Sequence, residues 1–465
     1  MSDLIADQFN ADPRLAQAKK LILEALAEHQ GKLTGVKPPD AARQVQYDEL
    51  LAQFGDVRGG GLYYRYLGSG IGNGSLVELA DGSVKYDFIT GIGVHYFGHS
   101  HPMLVASGID AAVSDTVMQG NLQQNANSAK LGKTIVDLAC KNGANLQHCF
   151  LTTSGAMANE NALKLALQKH APASRILAFE NCFMGRTIVL SQITDRPQYR
   201  EGIPTAINVD YVPYFDADRP AESIREAVAI LKQHIARYPG QHAVMPMEVV
   251  AGEGGFRPGS RDFFLALIEV LKEHKIAVYI DEVQTFGRLH QMFGFQHFGL
   301  DEHVDLCTIG KMTQVCATLF TDDYKPKPGL VSQTFTGSTA SITAAQAILD
   351  ALSTGRYYGD NGRVAQVHQR FTGKLDAIAK KHPDWVRGPY GLGGMIAFTP
   401  FDGSADAAKK VAMALFDAGV ICFIAGSNPS RVRFLIPIGA ATDEEIDQVA
   451  VIIEQTLARI ARSED

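Results

Sequence analysis

Ile276-Ala277-Val278-Tyr279-Ile280-Asp281-Glu282 is a run of strand length, apolar or aromatic for five residues and closed by two acids. So short an uninterrupted apolar run reads as a strand buried on both faces, the kind that parallel sheets contain. A helix-length amphipathic stretch, 262–274, precedes it. The same pairing recurs along the middle of the chain. Short apolar runs at 149–152, 176–179, 243–247 and 306–309 are separated by helical candidates such as 159–168 and 221–235. That alternation predicts an α/β fold with a mainly parallel sheet flanked by helices.

The rhythm changes on either side. A helix at 364–380, a strand at 395–399, a helix at 405–418, a strand at 432–435 and a last helix from Asp443 predict a smaller α+β domain. The first 55 residues look helical, with an apolar stripe over 14–28. The glycine-rich stretch from Gly59 to Gly74 reads as a turn region, and 76–79 and 84–88 flank Asp81-Gly82 as a hairpin. The expected division is an N-terminal segment over 1–85 belonging to the small domain, a large domain over 86–345 and a C-terminal small domain over 346–465.

With 43 basic and 50 acidic side chains the net charge is −7, which disfavours nucleic acid or an anionic membrane surface as partner. The N-terminus has no basic region leading into an apolar one, and no apolar run approaches the roughly 20 residues of a membrane span. Six scattered cysteines without a C-x-x-C pair fit reduced thiols and a cytoplasmic protein. Gly132-Lys133-Thr134 resembles the end of a phosphate loop, but Asn127 stands where that loop needs glycine. The glycines between Gly68 and Gly74 fit no dinucleotide fingerprint. His95, His99 and His101 lack the acids or cysteines of a metal site, so no metal is expected and packing or helix-end roles are favoured.

Four separated pieces fit one cofactor, pyridoxal 5′-phosphate. Thr153-Ser154-Gly155-Ala156 carries a strand into a helix, where free backbone N–H groups and the dipole suit a phosphate. Asp281 ends the most apolar strand, where open α/β sheets bind ligands, and a buried carboxylate there needs a cation such as a pyridinium nitrogen. Lys311 follows the 306–309 strand, and its amine, partly neutral when desolvated, can form a Schiff base and shuttle protons. Phe183 can stack on a flat ring. Each alone has an ordinary reading: a tight β–α turn, a loop cap, a strand-end lysine, a core aromatic.

Their order and spacing resemble the class III (ω-amino-acid) aminotransferases, pyridoxal-phosphate-dependent enzymes of fold type I, over roughly residues 60 to 460. The match lies in Asp281-Glu282-Val283-Gln284-Thr285 followed by Gly310-Lys311, in Ser154-Gly155-Ala156 with Asn159-Glu160, and in Phe183 with Gly185-Arg186-Thr187. Gly252-Glu253-Gly254-Gly255, Asp87-Phe88 through Gly98-His99 to His101-Pro102, and Arg433-Phe434 ahead of Pro437 add to it.

The resemblance implies that 86–345 is the cofactor-binding domain. Lys311 would hold the cofactor and move the proton, and Asp281 would bond the ring nitrogen. Gln284 would reach the ring hydroxyl, with Val283 and Phe183 on the two ring faces. Ser154, Gly155 and Ala156 would serve the phosphate, joined by Thr339 of the neighbouring subunit, which implies a homodimer with shared active sites. Arg186 and Arg433 would bind carboxylates, and Glu253 would pair with Arg433 until a dicarboxylate displaces it.

The implied reaction moves an amino group from an ω-amine donor (lysine, ornithine, acetylornithine, 4-aminobutyrate or similar) to 2-oxoglutarate by a ping-pong mechanism. An isomerase, either racemase or aminomutase, is the alternative on the same scaffold. Thr313-Gln314-Val315-Cys316 after Lys311-Met312 resembles the lysine 6-aminotransferase branch. Met157, Met184, Val249, Ala251 and Ala340 depart from the family's usual residues around the pocket and the dimer seam, so they bear on substrate rather than cofactor. The Tyr63, Tyr64 and Tyr66 cluster either lines the donor pocket or packs.

Overall fold

A computed structural model describes residues 4–115 and 118–462. They form two compact units, one of 115–365 with 391–393, the other of 4–114, 366–390 and 394–462.

The first unit is built on a seven-stranded sheet. Its strands are β1 His148–Thr152, β2 Arg175–Phe179, β3 Asn208–Val212, β4 His242–Met247, β5 Ala277–Glu282, β6 Leu306–Ile309 and β7 Cys316–Phe320. The order is β1-β7-β6-β5-β4-β2-β3. All run parallel except β7, which pairs antiparallel with both β1 and β6. The apolar runs become the central strands because helices cover them: every residue of β4, β5, β6 and β7 is buried. Helix Arg261–Glu273 starts where Ser260 Oγ accepts the Phe263 N–H (3.2 Å), and it buries Phe263, Phe264, Leu267, Ile268 and Leu271. Helix Gly155–Lys169 turns Ala158, Ala162 and Ala166 inward, and such small side chains let it lie close to the sheet. Gly132-Lys133-Thr134 lies inside helix Ala126–Ala139, with Lys133 paired to Asp137, so no phosphate loop forms there.

The second unit holds two four-stranded sheets. One has the order Gly68–Asn73, Leu76–Leu79, Val84–Asp87, Val420–Ile421; the other has the order Val386–Leu392, Met395–Pro400, Arg431–Leu435, Phe423–Ala425. The hairpin of Leu76–Leu79 with Val84–Asp87 forms as read. Gly68–Asn73, read as turn, is a strand with an irregular register; Gly70 takes a φ of +105°, and a Cβ on Gly72 would stand 2.3 Å from His99 Cβ. Residues 86–114 belong to this unit, whereas the sequence grouped them with the large sheet. The reason is local pairing, since Phe88 N–H donates to Ile421 O (3.0 Å) and Leu435 N–H to Phe88 O (2.7 Å). His99 Nε2 lies 2.9 Å from Asp87 Oδ2, and His101 Nδ1 accepts the Met103 N–H at the start of helix Pro102–Ala112. Tyr64 is buried, stacked on Phe416 with its hydroxyl on Cys422 O, so that member of the tyrosine cluster packs.

Candidate active site

One cavity of about 330 Å³ opens at the carboxyl edge of the seven-stranded sheet. Each segment that reaches it leaves the end of a parallel strand. Gly155 and Ala156 follow β1, Phe183 to Arg186 follow β2, Glu248 to Glu253 follow β4, Asp281 to Gln284 end β5, and Lys311 follows β6. Open α/β sheets gather ligands at this edge because chain direction brings all those loops together.

Asp281 is 6% exposed and its bonding is specific. Oδ1 accepts the Val283 N–H (2.9 Å) and Oδ2 the Asn159 side-chain amide (2.8 Å). Asn159 is fixed in turn, donating to Met184 O (2.8 Å). Its Oδ1 lies 2.6 Å from the Tyr279 hydroxyl and 2.9 Å from that of Thr308. Burial pushes the Asp281 carboxyl above the usual carboxylate range; the Val283 N–H, Asn159 and the Lys311 charge pull the other way. A cationic N–H in the cavity would complete that carboxylate's partners.

Lys311 takes a φ of +54°, a left-handed conformation that costs a side chain on the order of 1–3 kcal/mol. The chain thereby turns sharply off β6 at the lysine. Val283 forms one wall, seated against glycine: a Cβ on Gly155 would come within 2.8 Å of Val283 Cγ1. Gln284 Oε1 is buried and takes no hydrogen bond, leaving an acceptor for a ligand hydroxyl.

Phe183 and Arg186 share the loop after β2. Thr194 Oγ1 accepts the Met184 N–H (2.9 Å), and the Thr187 hydroxyl donates to Glu160. The Arg186 guanidinium lies 3.7 Å over the Tyr199 ring, which orients it while leaving its N–H edges free for a carboxylate. Glu248 faces the same cavity. Burial and the Asp281 charge raise its carboxyl to about 8, against the pull of backbone N–H groups from Phe183 and Gly252.

The cavity therefore unites Gly155, Ala156, Phe183, Arg186, Glu253, Asp281, Val283, Gln284 and Lys311. Three sequence candidates are not among its lining residues. Ser154 caps the helix of Gly155, its Oγ accepting the Met157 N–H (3.2 Å). Thr339 begins helix Thr339–Thr354 and donates to Asp115 O (3.2 Å). Arg433 belongs to the other unit, fully buried between Ala397 and Phe423 of neighbouring strands, its guanidinium 5.4 Å over the Phe423 ring. Sequence reasoning passed over Glu248, Tyr279 and Thr308. For Tyr279 a signal existed, because two positions before Asp281 on a strand means the same face.

Glu282 points away from this chemistry and is wholly buried. Its carboxylate accepts from Thr285 Oγ1 (2.5 Å) and Phe295 N–H (2.8 Å), while burial raises it to about 7. A raised carboxyl binds its proton more tightly folded than unfolded, so its contribution is full at low pH and is lost as pH rises through about 7. Glu282→Gln keeps both contacts and removes the titration. Denaturant unfolding between pH 5 and 8 is expected to show the parent losing more stability than the variant, by on the order of 1–3 kcal/mol. Parallel curves would contradict this.

The family model for "Aminotransferase class-III" matches residues 70–457. The chain is 28% identical over 405 residues to the acetylornithine aminotransferase of Methanocaldococcus jannaschii, covering 84% of this chain and 93% of that one. It is 31% identical over 391 residues to the succinylornithine transaminase of Salmonella paratyphi B, covering 81% and 88%. Among solved structures, the lysine aminotransferase of M. tuberculosis superposes with a TM-score of 0.78 at 24% identity, covering 91% and 100%. The Toxoplasma gondii ornithine aminotransferase gives 0.75 at 21%, covering 90% and 96%. Both share the fold.

This chain belongs to the class III aminotransferases, with the α/β architecture of fold type I. Its cofactor is pyridoxal 5′-phosphate. The cavity fits that molecule: a helix N-terminus at Gly155, a buried carboxyl group at Asp281, an unused acceptor at Gln284 and an amine at Lys311. The family's reaction takes a small-molecule amino donor and a keto acid. Among the described residues no helix is long and apolar enough to cross a membrane.

Proposed function

We propose that this chain moves the amino group of an ω-amine donor to 2-oxoglutarate in two half-reactions on one cofactor, a ping-pong cycle in the cytoplasm. The observation that carries this reading is that Arg186 and Glu253 line the same cavity as Asp281 and Lys311. A carboxylate-binding cation beside the reacting groups suits a keto-acid acceptor. The donor is lysine, ornithine, acetylornithine, 4-aminobutyrate or a similar ω-amine. The names of the relatives, which act on acylated ornithines or lysine, support that class.

When bound, pyridoxal phosphate supplies an electron sink for the carbon that loses its proton. Gly155 and Ala156, on the helix capped by Ser154, offer N–H groups to its phosphate. Asp281 would hold the ring N–H, Gln284 the ring hydroxyl, and Val283 and Phe183 would flank the ring. Lys311 would hold the cofactor through Nζ and, as a free amine, would take and return the proton at the substrate carbon. Arg186 holds one carboxylate. Arg433 holds the second carboxylate of the acceptor and is neutralised by Glu253 while a donor is bound. Thr339 joins the phosphate site of the partner subunit in a homodimer, a reading supported by its place outside the cavity of its own chain.

The test is a panel of lysine, ornithine, acetylornithine, 4-aminobutyrate and simple diamines, each with 2-oxoglutarate. Turnover that stops without a keto acid is expected; turnover that continues would replace transfer with isomerisation. Arg433→Ala is expected to weaken 2-oxoglutarate use by roughly 2–5 kcal/mol, the loss for breaking a desolvated charge pair, while the donor half-reaction persists. An unchanged second half-reaction would refute the assignment.

A further inference from the structure

Two cavity walls that are far apart in sequence are joined by one side chain. Glu248 Oε1 accepts the Phe183 N–H at 2.8 Å, and Oε2 accepts the Gly252 N–H at 2.9 Å. The first donor sits in the loop that presents Phe183 and Arg186; the second sits in the turn that presents Glu253. Glu248 is itself anchored at the end of β4, where its carbonyl accepts the Tyr214 hydroxyl (3.0 Å). A second link runs beside the first. Arg196 donates to Asn181 Oδ1 (3.0 Å) on the loop and to Glu253 O (3.2 Å) on the turn. The two segments also touch: a Cβ on Gly254 would stand 3.4 Å from Asn181 O.

We propose that Glu248 is a positioning residue whose carboxyl group clasps the Phe183–Arg186 loop to the Glu253 turn, so that ring wall and carboxylate recognition move as one piece. Two hydrogen bonds accepted by the two oxygens of one carboxyl group, at 2.8 and 2.9 Å, fix both the distance and the angle between their donors. Neither segment is part of the seven-stranded sheet: the Glu253 turn closes the short antiparallel pair of Val250–Ala251 with Arg257–Pro258, and Glu248 ties that hairpin to the loop after β2. The consequence for the acceptor rests on the function proposed above; the clasp itself does not.

Glu248→Gln tests it, because the amide is nearly isosteric and can accept only one of the two N–H groups while its own NH₂ opposes the other. Hydrogen–deuterium exchange of the holoenzyme is expected to speed up by about tenfold in peptides covering both 180–186 and 250–256. Helix Arg261–Glu273 should be unchanged. The KM for the keto acid is expected to rise about tenfold with kcat altered less than about threefold, as for lost uniform binding. Arg196→Lys, which breaks the parallel link, is expected to add to the exchange effect. Faster exchange in one segment only, or in neither, would overturn the clasp. Coupled exchange in both segments with an unchanged KM would keep the clasp and remove its role in recognition. If the parent enzyme accepts no keto acid, the exchange experiment still decides the clasp while the function proposed above fails.

Discussion

Lys311→Ala is expected to slow the donor half-reaction by about 10³-fold or more, within the range that a positioned general acid–base contributes. Both tasks assigned to the residue need an amine at that spot. Alanine brings no new backbone problem, since the lysine already adopts the left-handed φ of +54° and alanine meets the same penalty. The variant should therefore fold, bind cofactor without a covalent link, and show its defect in single-turnover kinetics followed at the cofactor's absorbance. A rate within threefold of the parent would remove Lys311 from the chemistry.

Asp281→Asn is expected to weaken cofactor binding by at least about 10²-fold, roughly 3 kcal/mol, as for one member of a buried ion pair removed. The charge that favours a protonated ring nitrogen would be gone. The new amide would also face the Asn159 amide donor that now serves Asp281 Oδ2 at 2.8 Å. Asn159 cannot simply turn over, because its Oδ1 is engaged by Tyr279 and Thr308. The loss thus combines a missing charge with a donor set against a donor. Equilibrium titration with pyridoxal phosphate gives the answer directly, and native affinity would contradict the role.

The central strands announced themselves because burial on both faces demands an unbroken apolar run, and charged residues directly after such runs stand at the sheet's carboxyl edge. Asp281 and Lys311 are legible for that reason, and the structure brings them to one cavity. β3, Asn208–Val212, was not legible: it is an edge strand with Asn208, Asp210 and Tyr211 breaking the apolar pattern. β7, Cys316–Phe320, was hidden by its nearness to Lys311, which drew a reading as motif rather than as an antiparallel strand. Gly70 and Gly72 imitated a turn because the positive φ of the one and the crowding of the other by His99 call for the same residue type as a turn does. Glu248 was missed because an acid after a strand has no distinctive pattern. Only coordinates reveal that its two oxygens serve donors 65 positions upstream and 4 positions downstream.

Reduction of the purified yellow enzyme with borohydride, followed by peptide mass mapping, addresses the shared cofactor most directly. The expected result is loss of the absorbance near ~420 nm and a single phosphopyridoxyl adduct on the peptide containing Lys311. An adduct on another lysine, or none while the enzyme remains active, would contradict the account.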